Sequence, residues 1–477
     1  MPYKDLREFL EVLEDKGELV RLKEEVSVDL EMAAVLRKLA YSKGPAVIFE
    51  RIKENTLPAV GNVFGTWERV LLATEGVDPE EKAKALTELL AFRPPEGILD
   101  AVKSLGELRK VASYFPKRTS RTPMDVEWKE IDLFKLPAIR QWPLEPGRFL
   151  TFGATFVRRG ESINYGYYRL QVIAKDKFLV HWMPWRRSEA YAFGQDKVEV
   201  AVVFGMDPVT TLLGGVPVPP PLEKLFVSGV LRGEGVEVVE GRTVDLRYPA
   251  NAELVIEGEL TGETAPEGPY GDHAGVYSIV KNYPVVRVKA IYSRENPLIP
   301  VTTTGKPVLE DGHFILFGQK VVKPLLITIL PEMVDFYMPP EGLSYVFVVS
   351  IRKRFPGHAR KVMSAIWGLT PMIGKILIVV DHDVDVRDWG QVLYAVSAHV
   401  DPQRDVVVLE DYPAEELDPS PSTPGLGSKL GIDATRKLPE EYGGKEYPKD
   451  VVAPDEIERK ADEVLSRLLS QVKRKIQ

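Results

Sequence analysis

Two carboxylates, Glu267 and Asp272, stand five residues apart in the stretch APEGPYGDHAGVY (265–277), among three glycines and two prolines. On a helix or a strand that spacing would turn the two acids away from each other. The glycines and prolines instead predict a tight turn in which both acids face one pocket. Neighbouring carboxylates raise one another's pKa, so one can hold a proton while the other stays ionised, as general acid catalysis near neutral pH requires. The plainer alternative is a turn whose acids only cap backbone amides. A second cluster lies in NYGYYR (164–169), where strand alternation would put Tyr165, Tyr167 and Arg169 on one face and Asn164, Gly166 and Tyr168 on the other. An arginine beside a carboxylate pair can grip a substrate carboxylate by a two-pronged contact. HWMPWRRSEAY (181–191) adds Trp182, Trp185, Arg186 and Arg187, which would suit an aromatic ring carrying a phosphate.

Other motifs carry less. DHDVDVRDW (381–389) starts like a calcium loop but lacks the glycine at its sixth position and has Val392 where the bidentate acid belongs. TTTGKP (302–307) ends like a phosphate loop, yet Pro307 replaces the Ser or Thr, so a turn at a strand end is expected. GLGSKLGIDATRK (425–437) reads as a Gly-rich loop, with or without an anion held on its amides. Six histidines without an H-E-x-x-H or H-x-E pair argue against a dedicated zinc enzyme, and the absence of cysteine excludes disulfides, thiolate metal sites and cysteine nucleophiles.

These residues must be positioned by a chain of 477 residues, long enough for two or three domains. A hydrophobic content of 44% and a charged content of 28% describe a folded globular protein. The net charge of −8 argues against nucleic acid as a partner, though a local basic pocket for a small anion is compatible with it. No apolar run is long enough to insert in a membrane, and MPYKDLREFL has no signal-peptide character, so a cytoplasmic location is expected. The many charges and missing cysteines would suit a thermophile. Residues 1–115 read as α/β, with helical period in YKDLREFLEVLEDKGEL and PEEKAKALTELLAF and a strand in PAVIFERI. A Pro-rich connection follows, and from 150 to about 305 short alternating strands suggest a β-barrel or sandwich. Helices and strands alternate again after 315, as in HARKVMSAIWGL and KILIVV. The last helical stretch aligns Ile457, Ala461, Val464, Leu468 and Val472 on one stripe, which would pack back or join another subunit.

Together NYGYYRLQVIAKDK, GETAPEGPYGDH, MVDFYMPPEGLSY, GHARKVM, DWGQVLYAVSAHVDPQRD and GLGSKLGIDAT resemble, in order, the UbiD family of prenylated-flavin-dependent decarboxylases. The resemblance implies an α+β protein with an N-terminal α/β domain (1–115), a central split β-barrel akin to flavin reductases that binds prenylated FMN (116–315), and a C-terminal α/β domain (316–477). The terminal helix of that last domain would join subunits into a homodimer or homohexamer. It implies a catalytic network of Arg169, Glu267 and Asp272. Cofactor contacts are implied for Asn164, Tyr167, Tyr168, Arg169, His181, Trp182, Met183, Arg186, Arg187 and Lys375, with Lys429 also near. A divalent manganese or magnesium ion would be held by Asn164 and Glu223, with potassium as a further possibility. The chain departs from the family pattern at Trp185, where histidine is usual, at Lys224, which falls where the ligating glutamate is expected one place after Glu223, and at His399, where arginine is common. A lysine ammonium at 224 could supply some of the metal's charge.

The implied reaction is non-oxidative decarboxylation of an α,β-unsaturated or aromatic acid. Loss of CO2 from an sp² carbon leaves a localised anion, so the cofactor must act as electron sink. Arg169 would position the carboxylate, Asp272 would donate the proton, and Glu267 would hold the network's charge. The expected substrate is trans-anhydromevalonate 5-phosphate, giving isopentenyl phosphate in a mevalonate route to isoprenoids. Its phosphate would be met by Arg187, Lys306 or Lys320. The alternatives are a 4-hydroxybenzoate-type or polyprenyl-hydroxybenzoate decarboxylase and, from other classes, a flavin reductase or flavin-binding protein, or a noncatalytic scaffold. No G-x-G-x-x-G follows a strand, which counts against a reductase using a dinucleotide. A flavin prenyltransferase would supply the cofactor.

Overall fold

The computed structural model describes residues 2–54, 56–91, 98–182, 187–195 and 197–476, with the side chains of 90–91, 98–105, 187–189 and 470–476 outside the description. The chain opens with the helix Leu6–Asp15, whose buried stripe is Leu6, Phe9, Leu10 and Leu13 and whose Asp5 caps the first turn by accepting from the Glu8 amide. Leu19–Leu22, Ala46–Phe49, Ala59–Gly61 and Ile299–Val301 form a four-stranded sheet in that order. Its last strand comes from far along the chain and pairs parallel with Ala59–Gly61. One apolar core joins Phe9 and Phe64 to Leu212, Leu213 and Phe317, so packing crosses the boundaries at 115 and 315 expected from the sequence.

The central sheet has nine strands. Its path runs Phe149–Leu150, Leu170–Ala174, Lys177–Val180, Lys281–Ser293, Leu254–Glu267, Glu199–Phe204, Ala154–Arg159 and Ser162–Tyr167, with Val126–Glu127 pairing off the path to Lys281–Ser293. Each pairing along the path is antiparallel. Both faces are buried: Ala201 and Val203 enter one core while Val200, Val202 and Phe204 enter another, as strand alternation demands. The strand Ser162–Tyr167 lies at one margin and Leu170–Ala174 next to the other, although only residues 168 and 169 separate them. At about 3.3–3.6 Å per residue so short a link cannot cross a flat sheet. The sheet therefore rolls until its margins meet across that link, and the ladder does not close into a barrel.

The C-terminal sheet orders Met333–Tyr337, Val346–Ile351, Ile376–Asp381, Leu426–Asp433 and Val406–Pro413. Its inner three strands are parallel and its two outer ones antiparallel. The segment 425–437, expected as a loop, is thus mostly a strand. Gly431 is needed there for packing, because a Cβ would sit 2.6 Å from Met363 Sδ and 2.9 Å from the Trp367 ring. The terminal helix Asp455–Ile476 leaves Ile457, Val464, Leu465, Leu468 and Leu469 exposed, while the Val472 side chain lies outside the described residues. Among the described residues no helix is long and apolar enough to cross a membrane.

Candidate active site

The hairpin Leu254–Glu267/Lys281–Ser293 ends with Glu267 opposite Lys281. The chain leaves it through Gly268, whose φ of +88° a side chain would resist, and turns back through a bridge between Gly271 and Tyr277. This is the predicted tight turn, tied by Asp272 N to Val276 O (3.1 Å) and Gly275 N to Asp272 O (2.8 Å). It is also pinned from outside. The Glu145 carboxylate accepts from the amides of Gly271 (3.0 Å), Gln141 (2.7 Å) and Trp142 (3.2 Å). Gln141 Nε2 and Thr304 Oγ1 both donate to Gly271 O, at 3.0 and 2.7 Å. The strand Ile299–Val301 thus delivers Thr304 to the loop that carries the acids.

Arg169 meets both acids. Its Nε and Nη2 donate to Glu267 Oε1 (2.7 Å) and Oε2 (3.0 Å), its Nη1 donates to Asp272 Oδ2 (2.5 Å), and Nη2 also reaches Ser278 Oγ (3.0 Å). The guanidinium carbon lies 4.8 Å from the centre of the Tyr270 ring. Side-chain exposure is 5% for Arg169, 0% for Glu267 and 9% for Asp272, so the three form a dry network. The expected common face of Tyr165, Tyr167 and Arg169 holds only for the tyrosines, whose hydroxyls donate to Thr210 O (2.9 Å) and Thr211 O (3.0 Å). The strand stops at Tyr167, which frees Arg169 to turn toward the acids.

The electrostatics correct another expectation. Burial works to raise the Glu267 pKa, but hydrogen bonds from His181 and Arg169 outweigh it and hold the carboxyl below its ordinary value. Burial likewise acts upward on Asp272, and is overcome by the hydrogen bond and charge of His273 and by the charge of Arg169, which hold it far below the carboxylate range. The two acids do not raise one another, because a guanidinium sits between them. Both are ionised in the resting site.

His181 Nδ1 lies 3.1 Å from Glu267 Oε2, and its ring packs 4.2 Å from that of Tyr283. Trp182 meets Tyr168 edge to face at 6.3 Å. His181 Nε2 and Trp182 Nε1 are buried with no hydrogen-bond partner among the described residues. Met183 and Arg186 lie outside the described residues, as does the Arg187 side chain. Asn164 is buried in the strand Ser162–Tyr167, and Glu223 Oε1 accepts from the neighbouring Ile163 amide at 3.2 Å. The buried Lys224 donates to Gly214 O (2.7 Å).

Lys375 stands apart from this network. It pairs with Asp418 (2.8 Å) and bonds Ser420 Oγ (3.0 Å) in an open cleft of about 480 Å³ that it lines together with Lys429. Burial, assisted by the charge of Lys375 and opposed by Asp418, lowers the Lys429 pKa to about 8. His399 Nδ1 contacts the Tyr447 hydroxyl (2.8 Å). Lys320 is held by Asp78 (2.7 Å), whereas exposed Lys306 borders Gly275 on the acid loop. Four residues of the site, His273, Glu145, Gln141 and Ser278, were given no role by the sequence. Their one sequence signal was that His273 directly follows Asp272.

A flavin fits the residues present, because the orphaned buried positions at His181 Nε2, an acceptor once Nδ1 donates to Glu267, and at Trp182 Nε1, a donor, need partners that a heteroaromatic ring and its substituents carry. A divalent ion does not fit as well: Asn164 and Glu223 offer two oxygen-bearing side chains, and no group of three His, Asp or Glu is arranged for a metal among the described residues.

Comparison with known proteins identifies the family. The chain matches the family described as 3-octaprenyl-4-hydroxybenzoate carboxy-lyase, UbiD, through its N-terminal domain over residues 10–90, its Rift-related domain over 117–307 and its C-terminal domain over 314–434. An uncharacterised protein of Archaeoglobus fulgidus is 41% identical over 99% of this chain and 100% of its own. Vanillic acid decarboxylase of Sedimentibacter hydroxybenzoicus, in closed form, superposes with a TM-score of 0.85 at 28% identity, covering 98% of this chain and 99% of that one. The UbiD-class enzyme HmfF of Pelotomaculum thermopropionicum, solved in complex with FMN, gives 0.74 at 25% identity over 95% and 98%. With all three of its domains matched along one chain, the protein belongs to the UbiD family of carboxy-lyases.

Proposed function

We propose that this protein is a prenylated-FMN-dependent decarboxylase of α,β-unsaturated acids, with trans-anhydromevalonate 5-phosphate as substrate and isopentenyl phosphate as product. The observation that carries the reading is the buried Arg169 held by Glu267 and Asp272 at the end of one hairpin. When bound, the prenylated flavin supplies the electron sink that loss of CO2 from an sp² carbon requires. His181 Nε2, as an acceptor, and the Trp182 indole N–H, as a donor, would hold it, with Tyr168 packed behind. Arg169 receives the substrate carboxylate, a planar match for its guanidinium. Glu267 keeps the guanidinium oriented once the substrate competes for it. Asp272 delivers the proton that replaces CO2 on carbon, and the dry surroundings of all three strengthen these interactions. Lys306, at the rim beside Gly275, is the described cation best placed for the substrate phosphate, since Lys320 is already bound to Asp78.

The likeness to vanillic acid decarboxylase supports a second reading, an aromatic acid substrate. Both are tested by co-expressing the protein with a flavin prenyltransferase and measuring CO2 release from trans-anhydromevalonate 5-phosphate, vanillate and 4-hydroxybenzoate. Release from the first alone supports the leading reading, release from the aromatic acids alone replaces it with the second, and release from none removes both.

A further inference from the structure

We propose that His273 is a proton relay, carrying a proton from solvent to Asp272 in each catalytic cycle. The inference rests on the decarboxylase reading, in which Asp272 is the acid. Each turnover consumes one proton, because a carboxylate leaves as CO2 and a C–H bond takes its place. Asp272 is buried and ionised at rest, so the proton has to reach it from elsewhere. Its two oxygens are differently engaged. Oδ2 accepts from Arg169, while Oδ1 accepts from the His273 backbone amide at 2.7 Å and lies 2.8 Å from His273 Nδ1. The imidazole is 26% exposed where the Asp272 side chain is 9% exposed, so the ring spans the path from the carboxylate to water.

The charged groups that act most strongly on this imidazole are acidic. Asp272 comes from its own loop, Asp311 from the first turn of the helix Glu310–Ile329, and Glu415 from the connection that follows Val406–Pro413. Burial of the ring acts to lower its pKa, and the bond to Asp272 with these three charges overcomes it, raising the value to about 9. The ring is therefore an imidazolium at neutral pH. Asp311 is itself pushed up to about 6 by burial, restrained by the charge of His273, and still carries most of its charge at neutral pH.

When a substrate carboxylate draws Arg169 away, Asp272 loses a pairing that kept it ionised and its affinity for a proton rises. The Nδ1–H bond of His273 then breaks, an O–H bond forms on Asp272 Oδ1, and the ring becomes neutral. Asp272 gives that proton to the carbon that lost CO2. A rotation of the ring at the rim exposes the vacated nitrogen to water, which restores the imidazolium. His273 acts through Asp272 and is a positioning and relay residue.

The test uses full-length holoenzyme made with a flavin prenyltransferase, alongside proton NMR of the His273 Cε1–H in protein without cofactor. His273→Gln is expected to lower kcat by about 10²-fold. KM and the flavin spectrum stay unchanged, the fall of kcat near pH 9 disappears, and added imidazole restores part of the rate. A variant that keeps both the wild-type kcat and the alkaline fall overturns the relay. By NMR, the wild-type ring titrates near pH 9 and moves toward the ordinary 6.5 in Asp272→Asn. An ordinary midpoint in the wild type overturns the coupling. Should wild-type holoenzyme release no CO2 from trans-anhydromevalonate 5-phosphate or vanillate, the decarboxylase reading falls, and the NMR titration still decides the His273–Asp272 coupling by itself.

Discussion

Two arginines in this molecule make nearly the same contacts and live in opposite surroundings. Arg169 forks onto Glu267 and adds Asp272; Arg436 forks onto Asp383 at 2.9 and 3.0 Å and adds Asp450 at 2.7 Å. The Arg436 side chain is 33% exposed and these two acids 50% and 48%, with the less exposed Asp381 (11%) farther off at 3.3 Å, against single figures for all three members of the first group. In water the charges of Arg436 are screened and its pairs add little. Buried, the same pairs cannot be broken without stranding a charge. The contact inventory therefore does not separate a reaction site from a surface clasp. What separates them is desolvation, together with a ring nitrogen and an indole nitrogen left without partners at the first cluster, where at the second it is the arginine's own Nε that is unpartnered.

The largest effect that could break this comparison is on stability. Arg169→Ala leaves two buried carboxylates without their cation and should destabilise the fold by about 3–5 kcal/mol in denaturant titration, with decarboxylation abolished. Arg436→Ala should cost less than about 1 kcal/mol and leave turnover intact. Equal losses would mean that the two clusters differ only in position. Next comes chemistry without stability. Asp272→Asn should keep the flavin spectrum and drop CO2 release by about 10²–10⁴-fold, as loss of a general acid does. Asp383→Asn, in the other cluster, should leave the rate untouched.

A smaller effect tests how the acid loop is held. Glu145→Ala strands three amide donors, those of Gly271, Gln141 and Trp142, and should cost about 1–3 kcal/mol. It should also lower kcat, because Gly271 directly precedes Asp272. Melting temperature against pH gives a still finer measure. Glu267 and Asp272 have depressed pKa values, so their contribution is present above the unfolded values near about 4 and is lost as pH falls below them. His273 has a raised pKa, so its contribution is complete below the unfolded value of 6.5 and is lost as pH rises through about 9. The alkaline loss should shrink in His273→Gln, while Arg436→Ala should not change it.

The sequence carried the residues that chemistry constrains and missed those that only geometry selects. Glu267, Asp272 and Arg169 were named from a rigid turn, an arginine and the family resemblance together, and the structure brings the three side chains into contact. The turn appeared as expected, and the neighbouring resemblance in 164–174 and 425–435 carried the family. Glu145 and Gln141 were invisible, since their contacts to Gly271 span 126 and 130 residues and nothing local marks a glutamate as an acceptor for a distant amide. The stretch 425–437 misled because its glycines suggest a loop, whereas Gly431 is there to let Met363 and Trp367 approach a strand. The protonation state was misjudged for a related reason: two acids in one pocket raise each other only if no cation stands between them. The acid-rich 381–389 stretch was already set apart from 265–277 by its missing glycine and by Val392 where a bidentate acid belongs.

The smallest effect predicted is none at all, and it bears on the residues where the chain departs from its family. Asn164 lies in the strand Ser162–Tyr167 and the Glu223 carboxylate accepts from the amide of its neighbour Ile163, but the position after Glu223 is a lysine whose buried ammonium is already bound to Gly214 O. A fixed positive charge there opposes a second one nearby. It can also balance part of the charge of an anionic cofactor group withdrawn from water, the task a divalent ion would perform. Holoenzyme dialysed against EDTA should therefore keep its kcat and its flavin, and added Mn²⁺ or Mg²⁺ should change neither. Lys224→Glu reverses the logic: it removes the ammonium, sets two carboxylates side by side, and should make both flavin retention and turnover depend on added divalent ion. Metal dependence in the wild-type protein would show instead that Glu223 and Asn164 bind a cation despite the neighbouring ammonium, and that Lys224 serves the fold through contacts such as those to Gly214 O and the Tyr165 ring.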